Sequence, residues 1–109
     1  MGAKSIEQVW DELSAMLYPG KVIFTLVDKV KNEIVEVKPG SITRRSAKSP
    51  TGRPSTVGKW AFERVWGELE TKGEARTSSH PPRIVYAIMA ELPYVEYVPE
   101  RKVIRLKDV

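Results

Sequence analysis

Apolar side chains recur with a helical period at the start of the chain. In SIEQVWDELSAMLYPG, Ile6, Val9, Trp10, Leu13, Met16 and Leu17 fall on one stripe, the i, i+3, i+4, i+7 spacing of an amphipathic helix. Ser5 with Gln8 three places on makes a capping box, and Pro19-Gly20 ends the pattern. The period then drops to two. Val22, Phe24 and Leu26 alternate with Ile23, Thr25 and Val27, and Val35 and Val37 follow beyond a turn near Lys31-Asn32. That predicts a β-hairpin with Phe24, Leu26, Val35 and Val37 on one face. Pro39-Gly40 closes the hairpin, and Ser41 to Thr43 extends a third short strand.

Helical spacing returns with Phe62, Val65, Trp66 and Leu69, extended toward the N-terminus by Val57 and Ala61. Ser55 or Thr56 is the expected cap, and Gly73 stands where a C-terminal glycine belongs. A third helix is expected over 81–92. Ser78 or Ser79 would cap it, and Pro81 and Pro82 suit a first turn that needs no N–H. Ile84, Val85, Ile88, Met89 and Leu92 would point inward, leaving Tyr86, Ala87, Ala90 and Glu91 outward, and Pro93 ends it. YVEYVPERKVIRLKDV then reads as a second hairpin with a loop from Pro99 to Lys102. This register sets Tyr97 opposite Ile104 and Val95 opposite Leu106 on one face, with Glu96 opposite Arg105 on the other. The expectation is one α+β domain over 1–109, built of three helices and two β-hairpins.

One stretch resists this patterning. RRSAKSPTGRPSTVGK, residues 44–59, carries Arg44, Arg45, Lys48, Arg53 and Lys59, no carboxylate, and Val57 as its one large apolar residue. Its Ser, Thr, Pro and Gly are loop chemistry. Residues 37 to 62 hold six cations and no acid, while the rest of the chain balances 12 cations against 14 anions. The net charge of +4 is therefore local, the footprint of a polyanion partner. Four to six cations displacing counterions would give a log affinity–log salt slope of about −4 to −5.

Other chemistry is scarce. There is no cysteine and one histidine, His80, so disulfides, thiolate chemistry and cysteine metal sites are excluded and no cofactor is expected. One Gln and one Asn among many ionic side chains is a thermophile-like bias. No apolar run is long enough to span a membrane, and the N-terminus lacks the apolar stretch of a secretory signal. A cytoplasmic protein is expected. Trp10 and Trp66 fall on helical stripes and belong to the core, whereas Trp60 lies off its stripe beside Lys59 and is the tryptophan expected in solvent.

From residue 56 to 107 the order helix–turn–helix–hairpin resembles the winged-helix family of DNA-binding domains. The stripes Phe62, Val65, Trp66, Leu69 and Ile84, Val85, Ile88, Met89, the turn at Gly73 and the terminal hairpin carry the resemblance. It implies that helix 81–92 enters the major groove, with Arg76, His80 and Arg83 near its leading end and Arg101 and Lys102 at the wing tip. Gly52-Arg53-Pro54 resembles the core of an AT-hook, which implies Arg53 in a narrow minor groove. The binding set expected is thus Arg44, Arg45, Lys48, Arg53, Lys59, Arg76, His80 and Arg83, on nucleic acid, duplex DNA bound mainly through its backbone phosphates. Winged-helix domains also serve as protein-docking modules, so a second expectation is a protein-interaction or homodimer surface on Tyr86, Ala87 and Ala90. A third is a metal-dependent nuclease. Asp28 ahead of Glu36-Val37-Lys38 resembles the Asp…Glu-x-Lys pattern of restriction-type nucleases, in which two carboxylates hold a metal and lysine assists a water.

Overall fold

A computed structural model describes residues 4–77 and 83–107; the expected caps Ser78 and Ser79, the Pro81-Pro82 turn and His80 lie outside the described residues. Within them the fold is α+β, with three helices and two antiparallel sheets of four and three strands. Helix α1 (Ile6–Met16) begins at the expected capping box. Ser5 Oγ accepts the Gln8 N–H at 3.2 Å, and Gln8 Oε1 accepts the Ser5 N–H at 2.8 Å. Its stripe buries Val9, Trp10 and Leu13, with Leu17 just beyond.

Strands β1 (Val22–Phe24), β2 (Lys31–Lys38), β3 (Ser41–Ser46) and β4 (Ser55–Gly58) form an antiparallel meander in chain order. The first hairpin differs from expectation in turn and in face. Its turn is Thr25 to Val30, and Lys31 and Asn32 belong to β2. Thr25 closes that turn early. Its N–H donates to Val30 O at 3.0 Å, and its Oγ1 accepts the Val30 N–H at 2.8 Å. Lys29 takes the left-handed conformation that the reversal demands, at φ 57. The pairs are Val22↔Glu33, Ile23↔Asn32 and Phe24↔Lys31. Ile23 is buried, while Phe24 is 53% exposed, the reverse of the predicted face. Beyond it, Val35 is the extra residue of a β-bulge, because Ile34 pairs with Arg44 and Glu36 with Thr43. The bulge resets the alternation so that Ile34 and Val37 both pack on the core.

The basic segment 44–59 is not one loop. Arg44 and Arg45 stand in β3, and Ser55, Thr56 and Val57 stand in β4 rather than at a helix cap. The buried pair Ile42↔Val57 anchors the two strands, and the Thr43 and Thr56 hydroxyls meet at 3.0 Å on the outer face. Only residues 47–54 connect them. Helix α2 (Lys59–Lys72) follows directly, with Gly58 as a cap that contributes no side-chain bond. It buries the expected stripe, Ala61, Phe62, Val65, Trp66 and Leu69, and ends at Gly73, whose φ of 78 is the left-handed form glycine supplies readily.

A three-residue strand, β5 (Glu74–Arg76), then precedes α3 (Arg83–Met89), β6 (Val95–Val98) and β7 (Val103–Leu106). The last hairpin has the register read from its alternation, Val95↔Leu106, Glu96↔Arg105 and Tyr97↔Ile104. β5 was not foreseen. It pairs along β7, giving the sheet order β5-β7-β6. The expected outward face of α3 is also corrected, because Ile84 through Met89 are all buried, Tyr86 at 0% and Ala87 at 2% exposure. A helix apolar on every side is an interior helix.

α2 packs against α1, α3, β4 and β5, so it touches both sheets, while α3 lies against β1 and α2. Trp10 meets Phe62 edge to face with ring centroids 5.3 Å apart, joining α1 to α2. The radius of gyration, 13.3 Å, is about that of one compact domain of this length. No helix among the described residues is long and apolar enough to cross a membrane.

Candidate nucleic-acid interface

The β3–β4 hairpin sends successive arginines to opposite faces, because strand side chains alternate. Arg45 lies outward. Its Nε donates to Gly52 O at 3.0 Å, and its Nη1 stands 3.6 Å from Glu33 on the neighbouring strand. The charge that seemed unopposed within 44–59 is thus met by a carboxylate from β2, which the local sequence could not reveal. Arg44 lies inward. Its Nη1 donates to Asn32 Oδ1 at 3.0 Å, while its Nε is buried with no acceptor among the described residues. Asn32 is itself buried, and its Nδ2 donates to Val30 O at 3.2 Å, so the amide is held in place to receive the arginine. Burial pushes the Arg44 guanidinium below its ordinary value.

Arg44 is one wall of a cleft of about 190 Å³ whose lining brings together Thr25, Asp28, Asn32, Ser46, Lys48 and Arg83. Three of the expected binding residues, Arg44, Lys48 and Arg83, converge here from β3, the connecting turn and the start of α3. Arg83 pairs with Asp28, the one acid in the lining. Lys48 is exposed, and among the described residues it has no ion-pair partner. The other candidates are spread. Arg53 sits in the exposed 47–54 turn, and Lys59 opens α2 beyond the far end of β4. Neither has an ion-pair partner among the described residues. Arg76 ends β5, in the other sheet, beside Glu68, Lys72 and Glu74. His80 lies outside the described residues.

At the wing, Arg101 Nη2 is held by Glu74 at 2.8 Å and Arg105 Nε by Glu96 at 2.7 Å. Arg101 is therefore engaged with β5 rather than displayed. Trp60 is 55% exposed, as its place off the stripe suggested, and its ring lies over Gly58. The nuclease-like trio does not gather. Asp28 occupies the β1–β2 turn and is held by Arg83, while Glu36 sits most of the length of β2 away, 3.6 Å from Lys38. Among the described residues no group of three or more His, Asp or Glu is placed to hold a metal. Compared with protein-family models, with curated proteins and with solved structures, the chain has no match, and its function is read from its own residues.

Proposed function

We propose that this protein binds nucleic acid, duplex DNA through its backbone phosphates, with the β3–β4 hairpin as the contacting element. The observation that carries this reading is the convergence of Arg44, Lys48 and Arg83 on one cleft containing a single carboxylate, next to Arg53 of the same turn, which has no ion-pair partner among the described residues. Cations left without partners in a chain rich in acids are suited to phosphate, which asks only for charge and reach. From α2 to β7 the order is helix, strand, helix, hairpin, with β5 standing where the winged-helix resemblance expects a turn. The helix in the recognition position is buried, however, so contact falls to the hairpin and to the residues at its rim. Lys48, Arg53 and Lys59 are the principal contacts, with Arg83 at the rim of the cleft and Arg44 behind it. Arg45 has a lesser part because Glu33 already faces it.

A mobility-shift titration of a short duplex against salt tests this. With three or four phosphates engaged, log affinity should fall with log salt at a slope of about −3 to −4. The triple change Lys48→Ala, Arg53→Ala, Lys59→Ala should flatten that slope to about −1 and leave the fold intact, since Lys48 and Arg53 are exposed and Lys59 is not fully buried. Unchanged binding by the triple variant would sink the proposal.

A further inference from the structure

The Arg44 cleft is built more closely than charge attraction requires. The side chains in its lining, Asp28 apart, are rich in donors, and the oxygens of Thr25, Ser46 and Asn32 each already accept one hydrogen bond. Thr25 Oγ1 already accepts the Val30 N–H, and Ser46 Oγ accepts the Lys48 N–H at 3.2 Å, so each hydroxyl has its proton left to give. Asn32 has spent its oxygen on Arg44 and one N–H on Val30. Arg44 itself is half-buried, and no carboxylate lies within ion-pair distance of it among the described residues. A guanidinium withdrawn from water without a counter-charge is costly, and a buried donor with no acceptor calls for an occupant. A cleft lined by donors suits an oxyanion and repels a metal ion.

Charge and size narrow the occupant. Three cations against Asp28 leave a surplus of two positive charges, matching a dianion. At about 190 Å³ the cleft is smaller than the roughly 300–1,000 Å³ of sites that enclose whole small molecules. The phosphate would enter and the group it is attached to would remain outside. An internal phosphate of a duplex is esterified on both sides and lies on the strand's outer surface. It reaches the rim cations Lys48 and Arg83 but not Arg44 behind them. A phosphate held by one ester bond can enter.

We propose that this cleft binds a phosphomonoester dianion, presented by the phosphorylated end of a nucleic-acid strand. The strand-end source rests on the nucleic-acid reading above; the preference for a monoester rests on the cleft alone. The test compares one short duplex bearing 5′-phosphate ends with the same duplex bearing 5′-hydroxyl ends, with inorganic phosphate as competitor. The phosphorylated duplex should bind about tenfold tighter, the gain of a few charge-assisted hydrogen bonds, and millimolar inorganic phosphate should erase that difference. Lys48→Ala, on the surface, should abolish the preference while the protein stays folded; Arg44→Gln should do the same where it folds. Equal affinity for the two duplexes would overturn the cleft assignment and leave duplex binding standing. Competition by inorganic phosphate for neither, with no binding of either duplex, would overturn both.

Discussion

At the scale of single residues, Tyr94 shows how a neighbourhood sets a titration. Its hydroxyl donates to Glu12 Oε2 at 3.3 Å, Lys4 lies over its ring at 5.0 Å, and the ring of Trp66 stands edge-on at 6.0 Å. Desolvation first, then the Glu12 charge and the hydrogen bond to it, push the Tyr94 hydroxyl up to about 12. An unfolded tyrosine titrates near 10. Between these values the folded chain keeps a proton that the unfolded chain has lost, so stability falls as pH rises through the window. The contribution is complete below about pH 10. Thermal midpoints measured from pH 9 to 12 should therefore drop more steeply in the wild type than in Tyr94→Phe. Parallel curves would show that the Glu12 contact does not survive in solution. The same scale explains Arg44: one asparagine, the only one in the chain, decides where the guanidinium points.

At the scale of elements, the junction of β4 with α2 has no side-chain cap, and Gly58 serves both. Its φ of −75 is open to any residue, so glycine is there for space rather than for backbone freedom. A Cβ at this position would come within 2.6 Å of Trp60 Cδ1 and 2.8 Å of its Nε1. Because the ring is half in water, it can swing aside. Gly58→Ala should cost less than about 1 kcal/mol, make Trp60 more accessible to a soluble quencher, and become neutral in a Trp60→Ala background. A quenching curve identical to wild type would show that the ring does not rest on Gly58.

How much of each element could be read from sequence follows from how its pattern was bounded. The β6–β7 hairpin was fully legible because apolar alternation and the Glu96–Arg105 pair agreed on one register. α1 and α2 were legible from their stripes and from Ser5 and Gly73. β1 was misread because every residue from Val22 to Val27 is apolar or threonine, so the alternation had no polar face to mark it. The bulge at Val35 then reversed the parity beyond it. β3 was legible only from Ser41 to Thr43, because its continuation through Arg44 and Arg45 reads as charged loop, and β4 was taken for a helix cap and the start of a stripe. β5 offers a single inward residue, Ala75, and left no trace. At the candidate site, the cations themselves were found from charge alone. Their division between two faces of β3, the masking of Arg45 by Glu33 and the approach of Arg83 to Lys48 depend on tertiary structure.

At the scale of the molecule, α2 is the element the two sheets share. Leu69 is fully buried on it. Leu69→Ala should lower stability by about 2–5 kcal/mol, and in denaturant it should shift the midpoint of a single transition without changing its slope. Probes in the four-stranded sheet and in the three-stranded sheet should report the same midpoint. Two separated transitions would mean that each sheet stands on its own.

The passage from Arg83 to Ile84 is an abrupt boundary: the first side chain is exposed and the next is 2% exposed. Six interior positions then follow without interruption. Substitution at Arg83 alters the charge of the rim and leaves the core alone, but the spacing there cannot change. A single residue gained or lost at this point would rotate the helix by about 100° and carry a charge inward or an isoleucine out. Lineages descending from this chain would then tolerate an exchange of one cation for another at 83 and almost no change in the count of residues around it.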